Sequence, residues 1–138
     1  MEVEVTSGVL TTLYEHAAKA APEECCGLLL GPETGPEEGW GERIETARPA
    51  TNLADDRQVR FEIDPLALLA AHKAARAGGP RVLGYYHSHP TGHPVPSATD
   101  RAHSTGDLRI WAIIADSEVA FWRDSGNGFV PLAFRVVD

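Results

Sequence analysis

The sequence predicts an α/β domain of the α+β kind, built on a mixed central β-sheet flanked by helices. Three observations carry that expectation. Strand-like and helix-like patterns alternate along the chain, two segments place apolar residues at helical spacings, and the last third reads as three β-rich runs separated by turns. With 138 residues, of which 43% are hydrophobic and 23% charged, the chain has the balance of one globular domain spanning 1–138.

The elements follow in order. Met1 to Val5 alternates with period two and reads as a short strand with one buried face. Thr6 or Ser7 then caps a helix over Val9 to Ala21, whose apolar positions Val9, Leu10, Leu13, Ala17 and Ala20 lie on one stripe; Pro22 marks its exit. Cys25 to Leu30 is a continuous apolar run closed by Gly31, as expected of a strand buried on both faces. Pro32 to Gly41, rich in Pro, Gly and Glu, reads as an exposed mobile loop. Arg43 to Ala47 and Val59 to Ile63 read as strands, with Asn52 to Arg57 a polar loop between them. Asp64-Pro65 is an N-cap followed by proline at the first helical position, opening a helix to about Arg76 that Gly78-Gly79-Pro80 stops. Val82 to Ser88 is a strand, and after an irregular stretch come strands over Arg109 to Ala115, Val119 to Arg123 and Phe129 to Val136.

Composition excludes some functions. Twenty acidic residues against twelve basic ones give a net charge of −8, the opposite of the basic footprint that nucleic-acid binders and anionic membrane surfaces require. No apolar run is long enough to span a bilayer, and no export signal opens the chain. The only cysteines, Cys25 and Cys26, are adjacent, which suits a reducing, cytoplasmic setting better than a disulfide framework.

The chemistry is concentrated in Gly84-Tyr85-Tyr86-His87-Ser88-His89-Pro90 and Ser97-Ala98-Thr99-Asp100. Two histidines two apart on a strand share a face, so both imidazoles can converge on one ion, with Ser88 on the opposite face; a His-x-His pair by itself reads equally as a surface or core pair. Pro90 ends strand pairing and lets the chain turn back. Asp100 can add a carboxylate from a separate element, leaving a fourth tetrahedral position open as in a catalytic rather than a structural site. Ser97-x-x-Asp100 also reads as a capping box at the start of a short helix, which is compatible with a carboxylate that binds a cation.

His-Ser-His-Pro, six residues, then Ser-x-x-Asp resembles the signature of the JAMM (MPN+) metallopeptidase family, stand-alone prokaryotic subgroup. Glu24-Cys25-Cys26-Gly27-Leu28-Leu29-Leu30-Gly31 is similar to that family's upstream glutamate segment, and Arg60-Phe61-Glu62-Ile63-Asp64-Pro65 resembles bacterial members. The likeness runs from about Ser7 to Ala115. It implies an MPN/cytidine-deaminase-like sandwich, one zinc ion on His87, His89 and Asp100, Glu24 as general base, and Ser97 as oxyanion donor. It further implies hydrolysis of an amide bond after the C-terminal Gly-Gly tail of a ubiquitin-like or sulfur-carrier protein, the substrate and partner. The alternatives are a metal-free MPN-type scaffold and a zinc hydrolase of small peptides or amides. His93 and His103 lie near the motif and read as loop and helix residues able to line a substrate channel. Cys25 and Cys26 read as inert core. His16 and His72 read as surface residues and Trp40, Trp111 and Trp122 as packing. The sequence carries no signal for oligomeric state.

Overall fold

The structure, a computed structural model, describes residues 3–33 and 42–138. Most of the expected loop at 32–41 and the first two residues of the first expected strand lie outside the described residues. β1 (Val3–Thr6) leads into α1 (Ser7–Ala20), and β2 (Cys26–Gly31), β3 (Arg43–Ile44) and β4 (Thr46–Ala50) follow. After α2 (Pro65–Arg76) and β5 (Arg81–Ser88) come α3 (Ala98–Ala102), β6 (Ile110–Ala115), β7 (Glu118–Asp124), β8 (Phe129–Leu132) and β9 (Phe134–Val137). A six-stranded sheet has the order β4-β2-β5-β6-β7-β8, and a three-stranded sheet has the order β3-β1-β9. In the larger sheet only β5 and β6 are parallel neighbours. Their crossover carries α3.

The helix starts follow from local chemistry. Thr6 caps α1 by accepting from the Val9 N–H at 3.3 Å, and Asp64 caps α2 by accepting from Leu66 at 2.9 Å ahead of Pro65. Strand β2 is buried at every position because helices cover both faces of the sheet. Cys25 and Leu29 pack with Val9 and Leu13 of α1, while Cys26, Leu28 and Leu30 pack with Ala71 of α2.

A bulge decides which face the end of β5 presents. The β2–β5 register shifts between Leu29 and Leu30, so that Leu30 pairs with Val82 but Leu29 pairs with Gly84. The extra residue, Leu83, puts Val82 and Tyr85 together on the α2 side and Leu83 and Tyr86 together on the α1 side. From Tyr85 the alternation carries on to His87, which therefore points to the α2 face. Gly84 sits where a side chain has no room, since a Cβ there would lie 1.7 Å from the Ile110 carbonyl oxygen.

Three expectations are corrected. Val59 to Ile63 is not a strand; only an isolated antiparallel bridge, Asn52 to Ile63, forms there. The Asn52 side chain takes the backbone groups a partner strand would have used. Its amide nitrogen donates to the Glu24 and Arg60 carbonyls, and its oxygen accepts from the Ala54 and Glu62 N–H groups. The strand read over Phe129 to Val136 divides at Ala133, where the chain leaves β7 for β1. Likewise the run from Arg43 divides at Glu45 into β3, in the small sheet, and β4, in the large one.

Candidate metal centre

The centre forms at the C-terminal end of β5, beside the parallel β5–β6 crossover, where open sheets place ligands. His87 is wholly buried, and His89 follows as the His89 N–H donates to the Ile114 carbonyl at 2.8 Å. Cys26 pairs with His87, and the Ser88 N–H donates to the Cys25 carbonyl at 3.2 Å. One more step along that register sets Glu24 across from His89. Ser88 turns to the other face and accepts from the Cys25 N–H through Oγ at 2.8 Å, closing the ladder where β5 departs.

Glu24 is held by its backbone. The Glu24 N–H donates to the Arg57 carbonyl at 2.6 Å and its carbonyl accepts from Asn52 at 3.0 Å. Asp100 comes from the first turn of α3, whose capping box is complete. Ser97 Oγ accepts from the Asp100 N–H at 3.0 Å, and the Asp100 carboxylate accepts from the Ser97 N–H at 2.9 Å.

These elements bring three donor atoms together. His87 Nε2, His89 Nε2 and Asp100 Oδ2 are each 3.1 Å from the other two. Bonds of about 2.0–2.1 Å in tetrahedral geometry need ligand atoms about 3.3–3.4 Å apart, so the triangle fits an ion within a few tenths of an ångström. Glu24 joins the histidines in a group whose donor atoms all lie within 4.8 Å of one another. Asp100 is in closer contact with both imidazoles than that bound requires of Glu24, its Oδ2 lying 3.1 Å from each Nε2. His89 Nδ1 lies 2.8 Å from the His93 carbonyl; donating there, it leaves Nε2 turned toward His87 and Asp100.

The two carboxyl groups differ in their electrostatics. Burial pushes the Glu24 carboxyl up to about 7, moderated by His89 and reinforced by Asp100. Its Oε1 is buried with no hydrogen-bond partner among the described residues, leaving an acceptor free for a proton. Burial alone would raise the Asp100 carboxyl, but hydrogen bonds from both histidines hold it well below the usual carboxylate range. Burial lowers His87 below its ordinary value against the opposing pull of Asp100. For His89 burial also lowers, but the Asp100 hydrogen bond, the His93 carbonyl and the charges of Asp100 and Glu24 outweigh it, and the net shift is upward.

The other sequence candidates divide. His93 contributes a backbone carbonyl and no imidazole. His103 ends α3 and lines a cleft of about 540 Å³ with Phe61, Leu68, Tyr85 and Trp111. Cys25 and Cys26 are buried free thiols pushed up by burial to about 11 and about 12, which keeps them protonated and inert. His16 is not simply a surface residue, since its Nδ1 lies 2.7 Å from the Tyr86 hydroxyl. Trp111 does pack, but against His87, with ring centroids 5.7 Å apart at 87°. Sequence reasoning missed Asn52, a lone polar residue whose role depends on contacts with Glu24, 28 positions away.

A buried two-histidine, one-carboxylate cluster beside a partly desolvated glutamate, at a parallel crossover of a mixed sheet, defines a JAB-type metallopeptidase domain. Residues 6–125 match the family described as prokaryotic homologs of the JAB domain, and the chain belongs to it. A desampylase of Haloferax volcanii is 29% identical over 137 residues, covering 99% of this chain and 94% of that protein. A probable TtuB-protein conjugate cleaving protease of Thermus thermophilus is 36% identical over 96 residues, 70% of this chain and 59% of its own length. Among solved structures, a Desulfitobacterium hafniense protein matches with a TM-score of 0.83 at 27% identity, covering 99% of this chain and 93% of that one.

Proposed function

We propose that the chain is a zinc-dependent isopeptidase that hydrolyses the amide bond after the C-terminal Gly-Gly tail of a ubiquitin-like or sulfur-carrier protein. The observation that carries this reading is the convergence of His87 Nε2, His89 Nε2 and Asp100 Oδ2 at 3.1 Å, with Glu24 buried alongside. The names of the Haloferax and Thermus relatives support the substrate class.

His87, His89 and Asp100 would hold the ion. Zinc bound there supplies Lewis acidity, polarising the scissile carbonyl and lowering the pKa of water to about 7. Glu24, lifted by burial, takes the proton of the attacking water and passes it to the departing amine, so that hydroxyl goes to the acyl carbon and hydrogen to nitrogen as the C–N bond breaks. Ser97 Oγ accepts from the Asp100 N–H, and its own O–H stays available for the oxyanion. Loss of one such donor costs about 3–4 kcal/mol of barrier. As a single catalytic domain over 1–138, the chain would act in the cytoplasm. Among the described residues no helix is long and apolar enough to cross a membrane.

The test offers the purified chain a ubiquitin-like protein linked through Gly-Gly to a lysine side chain, beside short peptides and amides. Conjugate cleavage should stop with a chelator and return with zinc. Glu24→Gln should keep zinc and lose turnover by a factor of about 100 or more. Cleavage of short amides alone would replace the substrate class, and full activity without metal would remove the reading.

A further inference from the structure

We infer that Phe61 is the positioning residue for His87, its flat ring setting the plane of that imidazole as the hydrogen bond to the His93 carbonyl does for His89. The inference rests on the reading of His87 as a metal ligand, and concerns what keeps its Nε2 aimed. A ligating histidine ordinarily donates its second nitrogen to a carboxylate, carbonyl or water, which fixes the ring. His89 has such a partner at 2.8 Å. His87 does not, since its Nδ1 is buried and finds no hydrogen-bond partner among the described residues.

Packing takes over that task. The Phe61 ring lies on the His87 imidazole with centroids 4.3 Å apart and planes 18° apart, while the ring of Trp111 stands against it at 87°. A stacked neighbour at that distance leaves no space for the imidazole to turn edge-on about its last torsion. The plane is fixed by the stack, and the edge within that plane by the 3.1 Å contact of Nε2 with Asp100.

Phe61 is itself held on both sides. The Asn52 amide donates to the Arg60 carbonyl at 3.2 Å and accepts from the Glu62 N–H at 3.0 Å, flanking residue 61 from one side chain that also anchors Glu24. This accounts for a large aromatic residue in a segment that has strand-like composition and forms no strand.

The test compares Phe61→Leu, which keeps apolar bulk without a flat face, with Phe61→Tyr, which keeps the face. Zinc affinity is read by competition with a chromophoric chelator on the full chain. Changes behind a metal ligand typically cost about 10–100-fold in affinity, so Phe61→Leu should bind zinc at least about tenfold more weakly than Phe61→Tyr. A smaller difference between the two overturns the inference, because it would mean that bulk alone suffices or that no change is tolerated. A second measurement uses the metal-free wild type. Stacking predicts His87 ring protons shifted upfield in NMR spectra, and ordinary positions would overturn the inference without any variant. Wild-type protein that binds no zinc would instead refute the metal-site reading, so the two failures are distinguishable.

Discussion

Asn52 uses all four hydrogen-bonding capacities of its amide on backbone groups: two donors to Glu24 and Arg60, two acceptances from Ala54 and Glu62. Asn52→Asp would set one carboxylate oxygen, in place of the amide nitrogen, against two carbonyl oxygens, whereas Asn52→Ala would only leave them unpaired. The bonds to the Glu24 carbonyl and the Ala54 N–H are part-buried and those to Arg60 and Glu62 exposed, so the loss should be about 1–3 kcal/mol in all, and both variants should lower the denaturation midpoint, Asp more than Ala. Urea unfolding checks this, and equal midpoints in wild type and Asn52→Asp would deny Asn52 its bracing role. At this level the candidates came from two sources. His87 and His89 are marked by their shared strand face, while Asp100, equally readable as half of a capping box, and Glu24, equally readable as a solvated acid, are singled out only by the resemblance to the family's motif. Asn52 and Phe61 do not stand out, since an amide in a polar loop and an aromatic in an apolar run have many ordinary uses.

The helices and central strands were readable from capping chemistry and apolar spacing: Asp64-Pro65 starts α2, and the unbroken apolar run of β2 becomes a strand covered on both faces. Breaks within strands were not readable, because Ala133 and Glu45 differ from their neighbours only in which sheet they hand the chain to. The β5 bulge belongs to the same class. Its consequence is functional, because without Leu83 as an extra residue the alternation would turn His87 toward α1. Gly84, next to it, is pressed against the Ile110 backbone, which cannot yield as a flexible side chain would. Gly84→Ala should therefore separate β5 from β6 and cost more than about 3 kcal/mol, leaving little folded protein. Circular dichroism and expression level read this, and a variant with native spectrum and stability would show that the two strands have slack.

At the scale of the whole molecule, zinc binding at the proposed centre should be coupled to proton release. His89 is raised above its ordinary value, so as pH falls a proton competes for the nitrogen on which the proposed ion would bind. Below that raised value a proton must be displaced and affinity falls as pH falls, and the loss of the Glu24 charge below about 7 adds in the same direction. Zinc affinity should drop by about tenfold per pH unit on the acid side, where one proton is released per ion. Competition titrations across pH 5 to 8 test this, and a flat profile would contradict it. The acidic net charge of −8 bears on partners rather than on the centre, favouring a substrate with a basic or neutral face over nucleic acid.

The most direct measurement is zinc content after reconstitution and exhaustive dialysis, for wild type, Glu24→Gln, His89→Ala and Asp100→Ala side by side. Wild type and Glu24→Gln should each keep about one equivalent per chain, as a three-ligand site with a separate base requires, and the other two should keep little. Stoichiometric zinc in Asp100→Ala or His89→Ala, or its loss in Glu24→Gln, would contradict the arrangement of ligands and base.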